Sequence, residues 1–172
     1  MQILTEMGGR MHTFNEMCAA YAAHQDRVFT FARMMNQQAT ALRDGFAQSI
    51  GTPTERYESR DGLTEYVRLL AVVNGEMTEV PTAQLFKGIG EDDFMRFGIQ
   101  ITVERDRHTT PKRVYRYHVW IKWLADAIEV RLPDMDKIIM APRDGHAADY
   151  SGVYAAITNG IMGNLANDPL GP

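Results

Sequence analysis

Between Phe14 and Phe46, side chains recur at alternating steps of four and three: Phe14, Cys18, Tyr21, Gln25, Val28, Ala32, Met35, Ala39, Leu42 and Phe46. Only Gln25 departs from the apolar set. A seam sustained over more than four repeats predicts one long helix that buries a stripe along its length. Thr13 followed by Glu16 is a capping-box start, and Gly51 with Pro53 is a stop, which bounds the helix at about residues 12–50. At ~1.5 Å per residue, ~37 residues span about 55 Å. A compact domain of this size has a radius of gyration near ~15 Å, so the helix outruns the core that one copy can supply. Self-association is therefore expected through Phe14, Tyr21, Val28, Met35, Leu42 and Phe46. A second line, Met17, His24, Phe31 and Gln38, widens the stripe beyond that of a strict two-stranded coil.

The 172 residues suit one domain, read as a leader at 1–11, the helix at 12–50 and a domain at 51–172. Gly8-Gly9 ahead of Met11 suggests a loose leader or a second start. The N-terminus has no signal-like apolar run, and no stretch approaches ~20 uninterrupted apolar residues, so neither a secretory signal nor a membrane-spanning helix is expected. The single cysteine, Cys18, cannot form an internal disulfide and reads as a small packing residue on the seam, which suits a cytoplasmic protein.

After the helix, residues 52–62 read as a loop. Residues 63–73 read as a strand, and Asn74-Gly75 marks a tight hairpin into a return strand at 76–80. Phe97, Ile99, Ile101 and Val103 alternate with polar residues, as do Tyr115, Tyr117, Val119 and Ile121, so these segments pair as a hairpin. Residues 127–132 continue the sheet, and residues beyond Pro133 read as a loop. A last helix is expected over about 146–165, with Gly152, Ala156 and Gly160 forming a groove that admits another backbone. Strands flanked by helices predict an α+β fold: a long N-terminal helix, an antiparallel sheet of about four or five strands, and a C-terminal helix packed on it.

The net charge of −4 argues against nonspecific coating of nucleic acid but leaves room for a local basic site. Arg105, Arg107, Lys112, Arg113, Arg116 and Lys122 face one acid, Asp106, within eighteen residues, and His108, His118 and Trp120 are interleaved. On a strand, Arg116, His118, Trp120 and Lys122 share one face. Such a cation–aromatic strip can stack bases and neutralise phosphates, or grip an acidic protein. The bland counterpart is a solvated sheet face with Trp120 under a helix. The acid-rich segment 76–93 offers the strip an intrachain or intersubunit counterweight.

Asp144, His146 and Asp149 are three ligand-type side chains in six residues, a weak metal candidate without the one-turn histidine spacing of a zinc helix. A turn whose acids favour the head of the next helix is the plainer reading. Gly88-Ile89-Gly90 lacks a third glycine and runs into Glu91-Asp92-Asp93, so no phosphate loop is assigned. Ser151 lacks the glycine-flanked elbow of a hydrolase nucleophile. No catalytic residue and no cofactor are assigned.

The leading expectation is a non-catalytic interaction protein, an adaptor, inhibitor or chaperone-like binder. Its partners are itself, as a dimer, and a further protein, and its eleven methionines suit adaptable contacts. The second expectation is nucleic-acid or phosphorylated-ligand binding by the basic hairpin. The third is an enzyme using His108 or the Asp144–His146–Asp149 cluster.

Overall fold

The structure, a computed structural model, describes residues 11–59, 62–106, 108 and 112–167. Most of the expected leader therefore lies outside the described residues. Helix α1 runs Phe14–Ser49. The capping box forms as the sequence predicts: Thr13 Oγ1 accepts the Glu16 N–H at 3.2 Å, and a Glu16 carboxylate oxygen accepts the Thr13 N–H at 2.8 Å. At the other end Gly51 takes a left-handed φ of 64°.

Nine strands follow among the described residues: β1 (Tyr57–Ser59), β2 (Gly62–Thr64), β3 (Val67–Val73), β4 (Glu76–Thr78), β5 (Met95–Val103), β6 (Arg113–Trp123), β7 (Ala127–Leu132), β8 (Lys137–Asp144) and β9 (Ala147–Ala148). Helix α2 (Ser151–Ala166) closes the described chain. β1 and β2 form a separate hairpin. The others make one curled antiparallel sheet in the order β4-β3-β5-β6-β7-β8-β9. Its centre is the β5–β6 ladder, nine pairs from Met95 opposite Ile121 to Val103 opposite Arg113.

Every strand read from the sequence is present, as β3 to β7, but the sheet holds seven strands rather than four or five. β8 falls where a loop was expected and β9 within the expected start of the last helix, and β1 and β2 add a hairpin where a loop and the start of one long strand were expected. Lys137-Ile138-Ile139-Met140 shows no polar alternation because β8 lies near the sheet margin, with Ile138 and Met140 exposed. The Asn74-Gly75 turn forms as read, with φ of 53° and 84°. It returns β4 alongside β3, from which the Met77 thioether reaches over Gly98 of β5; a Cβ there would sit 2.6 Å from its sulfur.

The concave face of the sheet carries Phe97, Ile99, Ile101, Val119, Ile121, Ile128, Val130 and Leu132, all essentially inaccessible. These side chains join the second half of α1 and the inner face of α2 in one cluster. From α1 come Met35, Ala39, Leu42 and Phe46, each with zero exposure. α2 starts at Ser151, later than expected, because residues 147–148 pair with β8. Its small-residue row is filled by the chain itself, not by another backbone. Gly152 meets Ile139, and Gly160 meets Met135 and the Tyr117 hydroxyl. Gln38 ties α1 to the C-terminal region: its amide donates to the His146 carbonyl and accepts from the Tyr150 hydroxyl, both at 2.8 Å.

The two halves of α1 should respond differently to truncation. Leu42→Ala is expected to cost about 2–5 kcal/mol, the range for a buried leucine. Val28→Ala should stay within about 0.5 kcal/mol, as for a surface position. Urea denaturation followed by circular dichroism, under conditions that keep the chain monomeric, checks both values.

Candidate functional site

The expected interface residues on α1 divide in two. Met35, Leu42 and Phe46 are consumed by the chain's own core and are unreachable to a partner in the folded chain. Phe14, Tyr21 and Val28 are 75%, 65% and 45% exposed, and Met17 and Phe29 are exposed beside them. Cys18 is exposed on the same stretch, contrary to its reading as a buried packing residue. Residues 14–30 make close to five turns, roughly 25 Å of helix. At the base of this stretch, a groove of about 540 Å³ is lined by His24, Arg27, Val28, Phe31, Ala32, Lys87, Ile89 and Asp93.

The basic hairpin forms as read, with Arg116, His118, Trp120 and Lys122 on the face of β6 opposite Tyr117, Val119 and Ile121. Part of its charge is answered within the chain, and cations of the neighbouring strands share its outer face. Arg96 sits 4.8 Å over the Trp120 ring and 2.6 Å from the Asp92 carboxylate. Lys122 donates to the Asp92 carbonyl at 2.9 Å. Arg131 stacks 4.3 Å from the Phe94 ring centre and pairs with Glu129 at 2.7 Å. Trp120 is thus flanked by Phe94 and Arg96, whereas its bland reading placed it under a helix. The acid-rich segment does meet this face, chiefly through Asp92, whose carboxyl the Arg96 hydrogen bond holds below its usual range.

Elsewhere in the hairpin, Lys112 pairs with Glu104, which also accepts from the Tyr66 hydroxyl at 2.7 Å. His108 lies in the connecting turn, its N–H bonded to Asp106 at 2.9 Å, and Arg105 and Arg113 are exposed. Arg107 lies outside the described residues. Arg116 donates to the Gln100 side chain at 2.8 Å and has no carboxylate in ion-pair range among the described residues. Its neighbour His118 holds Asp134, with Nδ1 3.1 Å from one oxygen and the backbone N–H 2.6 Å from the other. Arg116, His118, Asp134, Gly75, Glu76 and Met77 line a shallow depression.

No known protein family, curated protein or solved structure matches this chain. The site therefore rests on its own geometry.

The Asp144–His146–Asp149 cluster is built as a turn, not as a ligand set. Among the described residues, no three His, Cys, Asp or Glu side chains converge as a metal site would require. The Asp149 carboxylate accepts the Ser151 N–H at 2.9 Å at the head of α2, a bond that lowers its pKa. The His146 ring lies 5.8 Å from Trp123, and Arg143 stacks 4.1 Å from the same tryptophan. The Arg143 guanidinium also donates to the carbonyls of Leu124, Ala125 and Gly145. Sequence reading missed this arginine, since a cation that binds main-chain carbonyls leaves no spacing signature. No helix among the described residues is long and apolar enough to cross a membrane.

The Glu104 carboxyl is held below its usual range, first by the Lys112 hydrogen bond and then by that from Tyr66. A depressed folded-state pKa contributes stability above the unfolded value of 4.5, lost as pH falls through the folded value. Glu104→Gln should therefore lower the thermal midpoint at pH 7. The gap to the wild type should narrow steadily below about pH 4.5. Melting curves across pH 2.5–7, approximately the range over which carboxylates titrate, measure it.

Proposed function

We propose that this chain is a non-catalytic protein-interaction module that self-associates through the exposed half of α1. The observation that carries the reading is the split of one long seam, apolar except at Gln25. Its second half is covered by the chain's own sheet, and its first half is left in water with Phe14, Met17, Tyr21, Val28 and Phe29 uncovered. Contiguous apolar surface of this kind marks interaction sites on folded proteins.

In this reading the module is cytoplasmic and serves as an adaptor, inhibitor or chaperone-like binder of a further protein, its methionine-rich surface adapting to that partner.

A second reading, a phosphorylated ligand or nucleic acid held by the outer face of β6, draws on Arg116, whose guanidinium meets the Gln100 amide and, among the described residues, no carboxylate. It predicts anion binding that weakens steeply with salt and is abolished by Arg116→Glu; titration with a labelled single-stranded oligonucleotide tests it.

For the leading reading, Phe14→Asp combined with Tyr21→Asp should halve the assembly mass seen by native mass spectrometry. The melting profile of the fold should stay close to wild type. An unchanged mass would remove the helix surface from consideration.

A further inference from the structure

The open margin of β8 is a second surface, independent of α1. The phase of its hydrogen bonding follows from one contact: the Arg143 N–H donates to the Asp126 carbonyl at 3.0 Å. With Pro142 opposite Ala127, Arg143 and the alternate residues Ala141, Ile139 and Lys137 direct their main-chain groups toward β7. Ile138, Met140 and Pro142 direct theirs the other way. The Pro142 carbonyl confirms this phase, since it accepts the Asp149 N–H on the outer side at 2.8 Å. β9 covers only Arg143 and Asp144. The N–H and C=O groups of Ile138 and Met140 thus face outward, with no strand across them among the described residues. Their side chains are 65% and 52% exposed.

Natural sheets blunt such margins with charge, proline or bulges. Here Lys137 is the only charge between Asp136 and Arg143, and Pro142 stands at the far end.

We propose that β8 pairs antiparallel with β8 of a second copy, joining the two sheets into one. The argument for a second copy is that one register satisfies every constraint. A two-fold pairing must match outward-facing groups with outward-facing groups, which leaves three registers. Setting Met140 opposite itself places Lys137 against Arg143 and puts Pro142, without an N–H, in a bonding position. Setting Ile138 opposite itself brings Asp136 into the ladder, where its left-handed φ of 50° ends the extended backbone. The remaining register pairs Ile138 with Met140 of the second copy in both directions. It forms four main-chain hydrogen bonds, places Ile139 across from Ile139, and sets Lys137 against Ala141. The ladder is apolar at its centre and opposes no like charges. With the α1 surface, each chain then carries two separate two-fold contacts, so the assembly extends past a dimer.

The test uses the full chain. In a Cys18→Ser background, Ile139→Cys places the two thiols at a non-hydrogen-bonded pair, about 4.5 Å between Cα atoms. That spacing falls within the range of disulfides, roughly 4.4–6.8 Å. Mild oxidation should give a covalent dimer that reduction reverses. Separately, Ile138→Lys with Met140→Lys should reduce the native mass to that of the dimer joined through α1 while circular dichroism stays unchanged. Absence of the cross-link at position 139, or a mass that the two lysines leave unaltered, overturns the proposal. The Phe14→Asp, Tyr21→Asp variant should retain the cross-link, so failure of the helix surface and failure of the strand surface are read apart.

Discussion

The contact on which the fold depends is the grip of a curled sheet on the second half of one helix. Met35, Ala39, Leu42 and Phe46 recur at steps of four, three and four, and all four lose their solvent contact entirely. Curvature lets β3, β5, β6, β7 and β8 all contribute to a single cluster with α1, where a flat sheet would reach it with fewer strands. α2 then closes the open side. Its Tyr154 ring meets Phe46 edge-on at 5.8 Å, and the hydroxyl occupies space above Gly45 that a Cβ could not share. Gln38 adds polar specificity to this apolar clasp. Both ends of its amide are satisfied across more than a hundred residues of chain, so sliding the helix along the sheet would break two buried hydrogen bonds.

Much of this was legible before any coordinates. The seam, its capping box and its glycine stop set the helix within a residue or two. The alternation of Phe97 to Val103 and of Tyr115 to Ile121 identified the central pair of strands. What periodicity does not encode is the identity of the cover. The same spacing continues from Tyr21 to Leu42, yet one residue lies in water and the other in the core. β8 escaped for a related reason. Pattern rules read a strand from the contrast between its faces, and a marginal strand with Ile138 and Met140 exposed offers little contrast. The small-residue row of α2 was visible as a row, but its occupants, Ile139, Met135 and Tyr117, come from distant sequence.

The candidate charges on the surface show how far local composition can mislead. The run 105–122 looks strongly basic in isolation. In the fold, Lys112 meets Glu104 and Lys122 meets the Asp92 main-chain carbonyl, while the neighbouring Arg96 and Arg131 pair with Asp92 and Glu129. Several of these cations also lie on aromatic rings, an arrangement that covers Phe94 and Trp120 while leaving the charged heads near water. Arg143 on Trp123 repeats the device at the turn before α2 and fastens that turn to the β6–β7 connection. Arg116 stands apart, because its partner is an amide.

The placement of the clasped helix at the start of the chain has a consequence for biosynthesis. α1 is complete once Ser49 has been made, but the strands that cover its second half end at Asp144, and Tyr150 comes later still. At ~5–20 residues per second, the roughly one hundred intervening residues take about 5–20 s to emerge. Until the last of these strands emerges Met35, Leu42 and Phe46 lack a complete sheet to bury against, and the stripe is apolar apart from Gln25. The nascent chain therefore displays, for seconds, a longer version of the adhesive surface that the finished protein keeps only on its first half. A helix-binding chaperone at the ribosome, or a neighbouring nascent copy, would meet the whole seam.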